Sequence, residues 1–161
     1  MCRVFNSILT VTAVAGMVGF VGWRAPSIEG VWRTTEVAIG SADSRQILHP
    51  DANLDIITAK HYSRVEIHSL GPRPIIDATR ATADELRQAW GPVVAEAGNY
   101  ETHGTTVTMR AVVAKNPAVM APGAFVTYSY RLAGDTLWLT PQRDQRGEVT
   151  NPPTVKLIRV E

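Results

Sequence analysis

The chain has 161 residues, which suits one domain long enough to bury a core. A formal net charge of +1, with only Lys60, Lys115 and Lys156 as lysines and the arginines scattered, excludes the basic stripe of a nucleic-acid binder. The single cysteine, Cys2, lies ahead of the first apolar run, so residues 27–161 contain no disulfide, thiol nucleophile or cysteine metal ligand.

Residues 4–23, VFNSILTVTAVAGMVGFVGW, are uncharged and lie between Arg3 and Arg24. A basic start followed by an apolar run is the pattern of a secretory signal peptide. The run also approaches the roughly 20 residues that span a bilayer as a helix. Ala13-Val14-Ala15 satisfies the small-residue rule for cleavage but falls inside the run, and Pro26 disfavours cutting after Ala25. Residues 1–26 therefore read as a signal peptide or an N-terminal membrane anchor. A buried core helix would show a polar face, and this run has none. Either reading exports residues 27–161, to the periplasm, the exterior or the outer side of the cytoplasmic membrane.

Gly30-Val31-Trp32 opens a first strand that runs to about Ile39. A polar loop follows, and then two β-rich runs, 54–58 and 60–68. The second, KHYSRVEIH, alternates Val65 and Ile67 against Arg64, Glu66 and His68. Gly71, Pro72 and Pro74 end it. Thr82 and Glu85 form a capping box, which predicts a helix over 83–90 carrying Leu86 and Trp90 on one face. Val93, Val94 and Ala97 extend that face, with Gly91-Pro92 bending the helix into a second turn. Strands resume at 99–103 and 105–114, where Val107, Met109, Ala111 and Val113 share one side.

Residues 124–140, AFVTYSYRLAGDTLWLT, read as a hairpin turning at Gly134-Asp135. Val126, Tyr128, Tyr130 and Leu132 alternate with polar neighbours on one arm, and Leu137 and Leu139 do so on the other. A polar segment leads to a last strand over 154–160. The result is an all-β chain of about eight antiparallel strands and one short helix. A sheet of that size closes on itself or folds into a sandwich, removing its edges.

Gly30-Val31-Trp32 resembles the G-x-W signature of lipocalins, and Arg159 matches the arginine that lies over that tryptophan in such barrels. The order SIEGVWR, TAKHYSRV, ATADEL, GNYE, YRLAGDTLWLT, KLIRV resembles the bacterial lipocalin-like domain family over residues 27–161. The resemblance implies an up-and-down, calycin-type barrel with an internal cavity, no cofactor and no general activity. Gly30, Trp32 and Arg159 would be its structural residues. Met109-Arg110 departs from the histidine-bearing stretch expected of many relatives.

His49, His61, His68 and His103 form no helical H-x-x-x-H pair. His61 and His68, seven apart on one strand, face opposite sides and lie ~23 Å apart by strand rise, so they share no metal. No metal site is expected. Asp84 and Glu85 suit the first turn of a helix, and no P-loop, dinucleotide or G-x-S-x-G fingerprint occurs.

Tyr62, Arg64 and Glu66 share one strand face with His68. Facing inward, they would make a polar strip in a greasy cup that orients a ligand head group. Facing outward, they are a solvated face, and the need of Val65 and Ile67 for burial favours this outward choice. Tyr128 and Tyr130 should point inward, and Trp90 is either core or a helical plug. The candidate ligand-binding residues are Tyr128, Tyr130, Trp90, Met109, Tyr62 and Arg64.

The expectation is an exported lipocalin-like barrel that binds a small apolar or amphipathic molecule. Its only contact with a membrane would be the N-terminal segment, if uncleaved. A cofactor-independent isomerase or cyclase and an envelope interaction protein with a filled barrel are the rivals. Cavity volume separates the last from the others, and a perturbed ionisable group in the cavity favours the enzyme.

Overall fold

Apolar residues at every second position, cut at short intervals by turn residues, fold this chain into strands that pair mostly with their sequence neighbours. The computed structural model describes residues 27–41, 44–50, 52–69 and 71–161. The leader expected at 1–26 lies outside the described residues. The strands are β1 (Gly30–Ile39), β2 (Gln46–Leu48), β3 (Asn53–Ile57), β4 (His61–Ile67), β5 (Val93–His103), β6 (Thr106–Ala114), β7 (Val126–Ala133), β8 (Thr136–Asp144), β9 (Gly147–Glu148) and β10 (Thr154–Arg159). Helix α1 (Ala83–Trp90) interrupts them after β4, and a 3-10 turn covers Pro117–Met120.

Eight strands form a closed antiparallel ring in the order β1-β3-β4-β5-β6-β7-β8-β10, with β10 pairing back onto β1. The short β2 and β9 are ribs on β1 and β8. Closure leaves this ring no open edge. Among the described residues no helix is long and apolar enough to cross a membrane.

The barrel is packed at one end and hollow at the other. At the packed end Trp32, Val107, Leu137 and Leu157 are fully buried, with Ile28 and Ile57 beside them. The Trp32 indole N–H donates to Ile28 O at 2.8 Å, so its one polar atom is satisfied. The Arg159 guanidinium carbon lies 4.1 Å from the Trp32 ring centroid, and the two residues are register partners across β1 and β10. Arg159 also donates to Ser27 O at 3.0 Å and to Glu29 O, pinning the chain that enters β1. Gly30 fits this arrangement because it has φ +143° and a Cβ there would overlap the guanidinium and lie 2.9 Å from Glu161 O.

Three β-bulges change which residues face inward. On β1 the register slips between Thr34 and Glu36, so that Thr34 and Val37 both reach the interior. On β8 it slips opposite Thr127 and Tyr128, just past Pro141, and brings Asp144 inward. On β6 the slip falls opposite Ala97 and Gly98. There the backbones approach so closely that a Cβ on Gly98 would overlap Arg110 O and lie 2.8 Å from Ala111 Cα.

Several expectations are corrected. Val93 and Val94 continue no helix: β5 starts at Val93 and pairs with β4 from Ile67↔Val93 to His61↔Asn99. The bend at Gly91-Pro92 ends the helix, and the β-branched pair fits the open side of β4. The capping box is present, with Thr82 N donating to Glu85 Oε2 at 2.8 Å and Glu85 N to Thr82 Oγ1 at 3.3 Å. Trp90 is neither core nor plug: it is 54% exposed, and Ala89 is the buried residue of α1. Val107, Met109 and Ala111 face inward as expected, but the β6 bulge turns Val113 outward, where it is 62% exposed.

The polar row of β4 is the largest reversal. Tyr62 and Glu66 are buried and Arg64 keeps only 13% of its side chain exposed, whereas Val65 is 49% exposed. Ile67 is buried, but Val65 with Leu54 and Ile56 of β3 forms an apolar outer wall. The charges are inside.

Candidate functional site

The site grows from strand register. β3, β4 and β5 place Asp55, Arg64 and Glu96 directly opposite one another, and Asn53 opposite Glu66. With all these side chains on the inner face, a buried guanidinium meets three carboxylates. Arg64 Nε lies 3.2 Å from Asp55 Oδ1 and 3.3 Å from Glu66 Oε1, and Arg64 Nη1 lies 3.9 Å from Glu96 Oε1. Nη1 also reaches the Tyr128 hydroxyl at 3.5 Å from across the barrel. The network is anchored at the hollow end by His68, whose Nε2–H donates to Glu66 Oε2 at 2.6 Å.

Burial and charge pull these groups apart. Burial pushes the Asp55 carboxyl up to about 6, with Arg64 opposing and Glu66 and Glu96 adding to the rise. Burial also works against the Glu66 charge, but the His68 hydrogen bond and the Arg64 charge outweigh it and hold that carboxyl below its ordinary value. The bond to Glu66 raises the His68 imidazole. Burial and the Glu96 charge lift the Tyr62 phenol above its ordinary value. Among the described residues two buried side-chain atoms have no hydrogen-bond partner, Asp55 Oδ2 and Thr34 Oγ1.

Above this cluster lies a chamber of about 200 Å³. Thr34, Asn53, Arg64, Glu66 and Tyr128 form its polar side, and Val37, Leu139, Pro141 and Val155 its apolar side. At its mouth Val37, Pro50, His68 and Pro153 are shared with an outer groove of about 470 Å³ that adds Ile39, Leu48 and Ile67. A second chamber of about 140 Å³ lies on the other side of Tyr128, with Tyr62, Glu96, Met109 and Ala111 in its wall. The Asp144–Arg146 pair, 2.7 Å apart, closes its rim.

Of the residues singled out from the sequence, Arg64 and Tyr128 line the first chamber, and Tyr62, Met109 and Tyr128 the second. Tyr130 points inward as expected but at the packed end, where its hydroxyl donates to Gly104 O at 3.1 Å. Trp90 lines neither chamber, and Trp138 lies on the outer wall beneath Arg131. Sequence reasoning missed Thr34, Asn53, Asp55 and Glu96. The available signal was Asp55 between Leu54 and Ile56, where alternation is clear but its direction is opposite to the usual one. Among the described residues no group of three His, Cys, Asp or Glu side chains is placed to hold a metal.

The closed ring with a chambered interior defines the class, an eight-stranded antiparallel β-barrel of calycin-like build. No family model and no curated protein matches the chain. Among solved structures it is similar to an uncharacterized protein from Bacteroides eggerthii DSM 20697, with 8% sequence identity and a TM-score of 0.45. That alignment covers 81% of this chain and 98% of the other.

Proposed function

We propose that this chain is a lipocalin-like barrel that binds a small amphipathic molecule in the chamber above Arg64. One observation carries the reading: the chamber has a charged, hydrogen-bonding side and an apolar side within one wall. Its 200 Å³ holds about seven waters at the ~30 Å³ each occupies in the liquid. The chamber therefore suits a compact molecule, or the polar end of a longer one whose tail leaves through the mouth into the groove of Ile39, Leu48 and Ile67. Two chambers within the barrel count against a wholly filled interior and a purely structural role.

Titration of the full chain with 1-hexanol, hexylamine and hexanoate, followed by ¹H–¹⁵N NMR, tests the reading. At least one probe should give saturable shifts at Val37, Glu66, Leu139 and Val155. Val155→Phe, which fills the chamber, should abolish them, as should Val37→Phe. Absence of saturable shifts with every probe overturns the reading, as does binding untouched by both variants.

The raised carboxyl of Asp55 favours a second reading, a cofactor-independent isomerase or cyclase. A general acid must reach the reacting atom within about 3 Å, directly or through one water. Asp55 lines neither chamber, so its shift fits a buried ion-pair network better than catalysis. We further infer membership of the bacterial lipocalin-like family, supported by the barrel and the Trp32–Arg159 stack, and export, supported by the uncharged run over residues 4–23.

A further inference from the structure

We propose that the head group this chamber selects is a cation, an alkyl or aryl ammonium, and that an anionic head is rejected. The inference rests on the binding reading above and adds the charge of the ligand to it. It comes from a count of the ionisable groups that face the interior. β3 contributes Asp55, β4 contributes Arg64 and Glu66, and β5 contributes Glu96. Three carboxylates thus surround one guanidinium. His68 at the mouth adds at most one positive charge, and it shares its proton with Glu66. The other nearby pairs, Asp144–Arg146 and Glu36–Lys156, are each neutral together. With His68 charged, the network beside the chamber still carries an excess negative charge, with Glu66 its carboxylate in the chamber wall.

Arg64 is poorly placed to attract an anion. Its Nε is already directed at Asp55 and Glu66, and its Nη1 at Tyr128 and Glu96. An incoming carboxylate would add a fourth negative charge to a space of low dielectric. An ammonium would restore the balance.

A second, independent feature points to the same place. Thr34 lines the chamber, is only 4% exposed, and its hydroxyl has no partner. Its backbone is tied to the Asn53 side chain, with Thr34 N to Asn53 Oδ1 at 2.6 Å and Asn53 Nδ2 to Thr34 O at 3.0 Å. Asn53 is the register partner of Glu66. Thr34 on β1 and Glu66 on β4 therefore lie on either side of Asn53 of β3, in one wall. Buried polar groups are almost always partnered, and an ammonium has three donors to share between an acceptor hydroxyl and a carboxylate.

The test compares hexylamine, 1-hexanol and hexanoate by calorimetry on the full chain at pH 7.5. Hexylamine should bind at least tenfold more tightly than the alcohol, and hexanoate more weakly than either. Glu66→Gln should erase the amine preference. Thr34→Val, which keeps side-chain volume, should weaken the amine more than the alcohol. Hexanol or hexanoate binding as well as hexylamine overturns the charge assignment and leaves the binding reading intact. An amine preference unchanged in both variants also overturns it. Failure of all three probes sinks the binding reading itself.

Discussion

Replacing Asp55 with Asn should stabilise the protein at neutral pH and make almost no difference in acid. Asp55 is 4% exposed, and its carboxyl is raised from 3.8 to about 6. A carboxyl raised on folding supports stability fully below its unfolded value, and that support is lost as the pH climbs through the folded value. The 2.2-unit difference between these two values corresponds to about 3 kcal/mol at 1.36 kcal/mol per unit. Asparagine imitates the neutral acid, keeps an acceptor for Arg64 Nε and never ionises. The advantage of Asp55→Asn should therefore grow with pH, from well under 1 kcal/mol at pH 4 to about 3 kcal/mol at pH 8, with most of the rise between pH 4 and 6. Equilibrium urea unfolding of both full chains across this range gives the curve. A difference that is flat with pH, or a variant less stable than the parent at pH 8, would refute the account of the Asp55–Arg64–Glu66 network.

Arg159→Ala should lower stability by roughly 1–3 kcal/mol, since it removes the stack on Trp32 and the bonds to Ser27 O and Glu29 O together. An unchanged urea midpoint would show that the stack does not hold β1 to β10. Export predicts that fractionation of tagged protein in its own host finds residues 27–161 beyond the inner membrane or on its outer side. Full-length soluble protein in the cytoplasm would reject it.

Much of the barrel was legible in the residue order because its signals are local. Gly134-Asp135 between two alternating arms defines a hairpin wherever it stands, and β7 and β8 meet there as Ala133↔Thr136. Thr82 with Glu85 defines a helix start within one turn. The inward row Val107, Met109 and Ala111 followed from period two until the β6 bulge. One extra residue there inverts the phase and puts Val113 outside.

The site was less legible for a physical reason. Alternation states which residues share a face, but not which face is interior. Tyr62, Arg64 and Glu66 were always one row, and Val65 belonged to the other. Hydrophobicity alone directs Val65 inward and the charges out. The antiparallel register of β3, β4 and β5 brings Asp55 and Glu96 to either side of Arg64, and the curl of the barrel brings Tyr128 across to meet it, which supplies the partners that burying a guanidinium requires. By itself the sequence determined most of the strands and the helix cap, and the family resemblance supplied the Trp32–Arg159 pin. The tertiary structure alone decided that the charged row faces inward, because its compensating charges come from the paired strands β3 and β5, whose register and curl alternation by itself does not give.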